Sequence, residues 1–129
     1  MSEERIPVAF LHDSLILTLV QSAALDDQME ALRLDVCKAI DRHEPAALLI
    51  DVSPLVTLDS YLTRAIRDLA LTARLMGVTT VVCGIRPAVA VTLVEMDLEL
   101  PGVRTALNLE RALEALSRKA LRRPGASGA

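Results

Sequence analysis

Few side chains in this 129-residue chain could do chemistry, and the surrounding pattern singles out one pair of them, Asp59-Ser60. The pair follows an apolar run, Ala46 to Ile50, and a turn-forming Asp51-Val52-Ser53-Pro54, and it opens a segment of helical periodicity. Strand, exposed loop, then hydroxyl at a helix start is an order that sets the Ser60 Oγ beside backbone N–H groups lacking intrahelical partners. From these residues alone, the simplest role for Ser60 or Asp59 is a helix N-cap, worth about 1 kcal/mol.

No other residues group into a reactive constellation. The carboxylate pairs Asp26/Asp27 and Asp97/Glu99 fall at helix starts and loops, where capping and solvation explain them. The two histidines, His12 and His43, stand apart, and neither forms a Ser/His/Asp or Cys/His pattern; His12 reads as a structural or solvated turn residue. Cys37 and Cys83 lack CxxC or Cys/His spacing, so they indicate neither a disulfide framework nor a zinc site and read as reduced core residues of a cytoplasmic protein. There is no GxGxxG or GxxxxGK[ST] loop, and five scattered glycines cannot build a phosphate cradle. The expectation is a protein that is not an enzyme and holds no cofactor or metal.

Composition narrows the classes further. Hydrophobic residues make up 52% of the chain, yet Phe10 and Tyr61 are its only aromatics. A chain of this length buries roughly two-thirds of its unfolded surface, so one aliphatic core of Ala, Val, Ile and Leu is expected. A base-stacking nucleic-acid platform is excluded by the lack of aromatics, and a net charge of −3 offers polyanions no general attraction. The charge is uneven: residues 104–129 carry six basic residues against Glu110 and Glu114, while the rest carries eight basic and fifteen acidic ones. Basic residues near the end of a last helix are favoured by its dipole. No apolar stretch reaches the roughly 18–20 residues of a membrane span, and no signal peptide opens the chain.

These residues are positioned by an alternation of elements. Ile6 to Val20 reads as two short strands about a turn at His12-Asp13-Ser14, followed by a helix from about Asp27 to Arg42 with Leu25, Met29, Leu32, Val36 and Ile40 inward and Asp26 or Asp27 as cap. Ala46 to Ile50 suits a strand covered on both faces, and a second helix runs from about Ser60 to Met76 with Gly77 just past its end. Val78 to Cys83 is another buried strand, Pro87 to Glu95 a short helix, Val103-Arg104-Thr105 a last strand, and Asn108 caps a final helix. The order ββαβαβα(β)α predicts an α/β domain over 1–121. It has a mixed, mostly parallel sheet of four to five strands and about four helices, is opened by a β-hairpin, and precedes a flexible tail at 122–129.

Two passages, LLIDVSPLVTLDSYLTRAI from Leu48 to Ile66 and LMGVTTVVCGIRPAVAVTLVEMDLELPGVRTALNLERAL from Leu75 to Leu113, make the chain resemble a STAS domain. This is the fold of sulfate-transporter cytosolic domains and bacterial anti-sigma factor antagonists. The GIRPAVAVTLVE stretch is narrower, and is similar to a run typical of stressosome proteins. With its first strand near residue 6 and no room before it for a sensor domain, the chain resembles the small RsbS-type scaffold rather than the RsbR-type sensory subunits. Met96-Asp97 stands where Leu-Gly is usual in the relatives.

The resemblance implies a phosphorylation switch. An RsbT-type serine/threonine kinase would be held by the unphosphorylated scaffold and released once it phosphorylates Ser60, the serine directly after the aspartate. Thr92 corresponds to a second acceptor of the sensory paralogues, and a back-bonded helical threonine is the competing reading there. Asp59, Ser60, Tyr61, Thr63, Arg64 and Thr57 would face the partner. The implied partners are the kinase, RsbR-type paralogues, and further copies in a dimer and a large complex, without nucleic acid or membrane. The alternative is a free-standing anti-sigma factor antagonist whose Ser60 surface binds an anti-sigma factor kinase directly.

Overall fold

The computed structural model describes residues 6–11, 15–19, 26–97, 100 and 102–122. In chain order the elements are β1 (Val8–Leu11), β2 (Leu15–Leu19), α1 (Asp26–His43), β3 (Ala47–Asp51), α2 (Ser60–Leu75), β4 (Thr79–Cys83), α3 (Pro87–Glu95), β5 (Arg104–Ala106) and α4 (Leu109–Arg122). One sheet carries the strands in the order β1-β2-β3-β4-β5, with β1 antiparallel to β2 and every later pair parallel. The α/β reading, the opening hairpin and the four helices therefore stand among the described residues.

Each crossover moves one strand further in the same direction. Right-handed connections then place their helices on one face of the sheet. The core follows that rule. Leu48, Ile50 and Val82 pack with Leu32 and Val36 of α1, Ile66 and Leu69 of α2, and Val89 and Leu93 of α3. The alternate residues Ala47, Leu49, Val81 and Cys83 face the other way and are covered by Ala112, Leu109 and Leu113 of α4. A strand clothed on both sides needs no polar alternation, which is why Ala47 to Ile50 reads as an unbroken apolar run and is buried throughout.

Several expectations shift in detail. Asp26 and Asp27 are the first two residues of α1 rather than residues preceding it, and Asp27 lies in the first turn, where the dipole favours a negative charge. β5 starts one residue later than expected because the Val103 N–H turns back to the Leu100 carbonyl at 3.2 Å. α3 ends at Met96-Asp97 with Asp97 at φ 57°, in the left-handed region, its N–H donating to the Val94 carbonyl at 3.1 Å. Aspartate tolerates that conformation at a cost of about 1 kcal/mol, so the helix end keeps a turn that a glycine would make without strain. The His12-Asp13-Ser14 turn, Leu25, Glu99 and residues 123–129 lie outside the described residues. No helix among those described is long and apolar enough to cross a membrane.

Candidate functional site

The loop from β3 to α2 is held down by two aliphatic pins. Leu55 and Leu58 are buried in the main core, while Val56 between them is 60% exposed and Thr57 is exposed as well. The pins fix the loop so that Ser53, Val56, Thr57 and Asp59 are left exposed at the carboxyl end of the sheet. The loop also closes on itself: the Asp51 Oδ1 accepts the Ser53 N–H at 2.9 Å, and the Leu55 N–H donates to the Val52 carbonyl at 2.9 Å.

A second loop, from β4 to α3, braces the first. The Val52 N–H donates to the Cys83 carbonyl at 3.0 Å, and the Arg86 Nε–H donates to the Ser53 carbonyl at 2.8 Å. Between them Gly84 sits at φ 83°, and a Cβ there would come within 2.8 Å of the Ser53 Cβ and 2.9 Å of the Asp51 Oδ1. Only glycine satisfies both the backbone angle and this approach.

At the head of α2 the cap is Asp59, not Ser60. Asp59 is extended (φ −86°, ψ 178°), and its carboxylate accepts the Leu62 N–H at 2.8 Å. Its carbonyl accepts both the Thr63 N–H at 3.0 Å and the Thr63 hydroxyl at 2.8 Å. Ser60 is the first helical residue and half-buried. The aspartate thus takes the structural role that the residue types alone left open between the two, and the serine hydroxyl is not used for capping.

The flanking residues divide. Thr57, Tyr61 and Arg64 are exposed. Thr63, also expected to face a partner, is only 2% exposed: its hydroxyl is buried against the Asp59 carbonyl, where it braces the cap. Tyr61 and Arg64 line a groove of about 310 Å³ between α1 and α2, together with Glu30, Arg33 and Asp68. Thr92 belongs to a different helix, α3, and its Oγ1 donates to the Ala88 carbonyl at 3.0 Å, the back-bonded arrangement.

The sequence reading missed Val56, Gly84 and Arg86. The signal for the last two was the Gly-Ile-Arg-Pro turn itself, read there as a family mark rather than as a brace. The cysteines are both free, with Cys83 buried and Cys37 half-buried. Burial, and secondarily the negative charge of Asp51, push the Cys83 thiol up to about 11. Among the described residues no group of three or more His, Cys, Asp or Glu side chains is placed to hold a metal ion.

A five-stranded sheet opened by a hairpin, with an Asp-capped serine at the head of α2, can be set beside known proteins. The family model of the STAS domain matches residues 12–112. A serine-to-glutamate variant of RsbS from Moorella thermoacetica superposes with a TM-score of 0.78 at 33% identity, over 92% of this chain and 99% of that one. A chain from a structure of the molecular architecture of the stressosome, described as a signal integration and transduction hub, matches at a TM-score of 0.78 and 33% identity, over 91% and 100%. The chain therefore belongs to the STAS domain family, and within it the similarity is to stressosome proteins of the RsbS type.

Among curated proteins, the RsbT co-antagonist protein RsbRD of Bacillus subtilis (strain 168) is 30% identical over 80 residues. That match covers 62% of this chain but only 28% of the relative, so the chain spans well under half of that protein.

Proposed function

We propose that the chain is a non-catalytic, phosphorylation-switched scaffold of a bacterial stressosome in the cytoplasm. It sequesters an RsbT-type serine kinase while Ser60 is unmodified and releases it when Ser60 is phosphorylated. The observation that carries this reading is the division of labour at the head of α2. Asp59 caps the helix through its own carboxylate, and Ser60 follows as the first helical residue beside the exposed Thr57, Tyr61 and Arg64. The reading is supported by the RsbS likeness over almost the full length of both chains, and by a relative named as a co-antagonist of RsbT.

The chemistry suits a switch that acts on binding rather than on folding. A phosphate adds a charge of about −1.5 to −2 and three acceptor oxygens. At the first helical position the dipole tolerates that charge, and the cap at Asp59 is untouched by it. Against a docked protein the same dianion has to be desolvated or repelled, which weakens the complex.

Association with RsbR-type paralogues and with further copies belongs to the same proposal. Ala88, Val91 and Val94 form an exposed apolar stripe along α3, the kind of surface that protein contacts use. The direct test is incubation with an RsbT-type kinase and ATP followed by mass-spectrometric localisation of the phosphate. Modification at Ser60 is expected, and its absence there would overturn the proposal.

A further inference from the structure

On the reading that Ser60 is the acceptor, we propose that Arg64 is the phosphate's built-in counter-ion: modification of Ser60 draws the Arg64 guanidinium onto the phosphate and withdraws it from the docking surface. The switch then changes two charges at once, adding a dianion and neutralising a cation one helical turn away.

Three observations lead there. Ser60 and Arg64 are four residues apart within α2, so they are neighbours on one helix face. The acidic-before-basic order that phosphorylation would create is the favourable one for an i, i+4 pair. Long side chains in a helix also lean toward its N-terminus, which carries the guanidinium of Arg64 back over the turn that begins at Ser60.

The charge environment selects Arg64 among its neighbours. Arg33, across the groove on α1, is held by Glu30 at 2.6 Å, and that contact raises its already high pKa. Arg67 lies beside Asp68 at 3.7 Å. Arg64 is exposed and makes no ion pair among the described residues. The first turn of α2 holds no acidic side chain, so a phosphate would be the first negative group within the helix, next to the cap carboxylate of Asp59. A cation one turn away offsets that like-charge proximity. Arginine suits the task because its planar fork presents paired N–H donors to phosphate oxygens.

The test installs phosphoserine at position 60 during synthesis, so it does not depend on any kinase recognising the site. The second ionisation of the phosphate is then followed by phosphorus NMR between about pH 5 and 8, around its usual value of about 6. In the otherwise unaltered protein the midpoint is expected about 0.3 of a pH unit below that of Arg64→Gln, with Arg64→Lys retaining part of the shift. Arg67→Gln, two turns from Ser60, is expected to titrate like the unaltered protein. Identical midpoints with and without the Arg64 guanidinium would overturn the inference, as would an equal change on removing Arg67. Failure of a kinase to modify Ser60 would instead overturn the proposed function and leave these titrations unaffected.

Discussion

The Arg86 Nε–H donates to the Ser53 carbonyl at 2.8 Å across 33 positions of sequence, tying the loop after β4 to the loop that leads into α2. The bond ends on the same turn whose Asp51 carboxylate accepts the Ser53 N–H at 2.9 Å. Positions 51–59 are therefore not a free connection, since they are clamped at one end by the neighbouring loop and pinned along their length by Leu55 and Leu58. The head of α2 inherits its position from that clamp.

Replacing Arg86 with Gln should loosen the clamp while leaving the sheet intact. The charge-assisted bond is exposed, so a loss of about 1 kcal/mol is expected in the opening equilibrium of this loop. Hydrogen exchange measured by mass spectrometry should show about fivefold faster exchange confined to peptides covering Val52 to Asp59. Unchanged protection there would show that the pins alone hold the loop.

Gly84→Ala is expected to be far more damaging. It forces a Cβ to within 2.8 Å of the Ser53 Cβ at a residue held at φ 83°. Left-handed strain and the crowding together should cost about 2–4 kcal/mol, read as a lowered midpoint of urea unfolding. The same substitution at Gly77, whose Cβ would meet nothing within 4 Å, adds only the backbone term at φ 88° and should cost less.

The cap separates two roles of Asp59. Asp59→Ala removes the acceptor of the Leu62 N–H and should lower stability by about 1 kcal/mol. Asp59→Asn keeps an acceptor while removing the charge, so most of the stability should return. Calorimetry on the two variants checks this. Equal losses for both would mean that the charge on Asp59, rather than its hydrogen bond, steadies the helix.

Cys83 supplies a pH signature. Its thiol is pushed up to about 11 in the fold, chiefly by burial, against an ordinary value of 9.0. The folded state then holds its proton where the unfolded state has lost it. Stability from this group is fully present below pH 9 and declines as pH rises toward 11, by at most about 3 kcal/mol. Comparing the alkaline unfolding of the protein with that of Cys83→Ala isolates the effect, since the variant should lose less stability across that window. Parallel curves would contradict it. In the folded protein at neutral pH, half-buried Cys37 should react with thiol reagents well before Cys83.

Much of the architecture was legible because each element announces itself through one rule. The buried run at Ala47 to Ile50 and Pro87 at a helix start both follow from local periodicity or backbone restriction. The site was legible in outline, since Asp59-Ser60 at a helix head follows from turn residues next to a periodic stretch. Two features were not. Whether Asp59 or Ser60 caps depends on one residue of register, which is below the precision of a helix boundary read from sequence. That Thr63 is buried depends on which face of α2 meets the sheet at its first turn. The same stripe that buries Leu62 and Ile66 covers Thr63 as well, and a polar residue there becomes acceptable once its hydroxyl reaches the Asp59 carbonyl. The Arg86 brace was hidden because a contact spanning 33 positions leaves no local trace.

In the proposed switch the hydroxyl of Ser60 governs partner binding without governing the fold. The most direct measurement is the affinity of an RsbT-type kinase for the unmodified protein and for the protein carrying phosphoserine at position 60, with the unfolding midpoint of each recorded alongside. At least a tenfold weaker complex for the phosphorylated form, with midpoints that agree closely, is the predicted result. Equal affinities for the two forms, or a loss of binding that merely tracks a loss of fold, would contradict it.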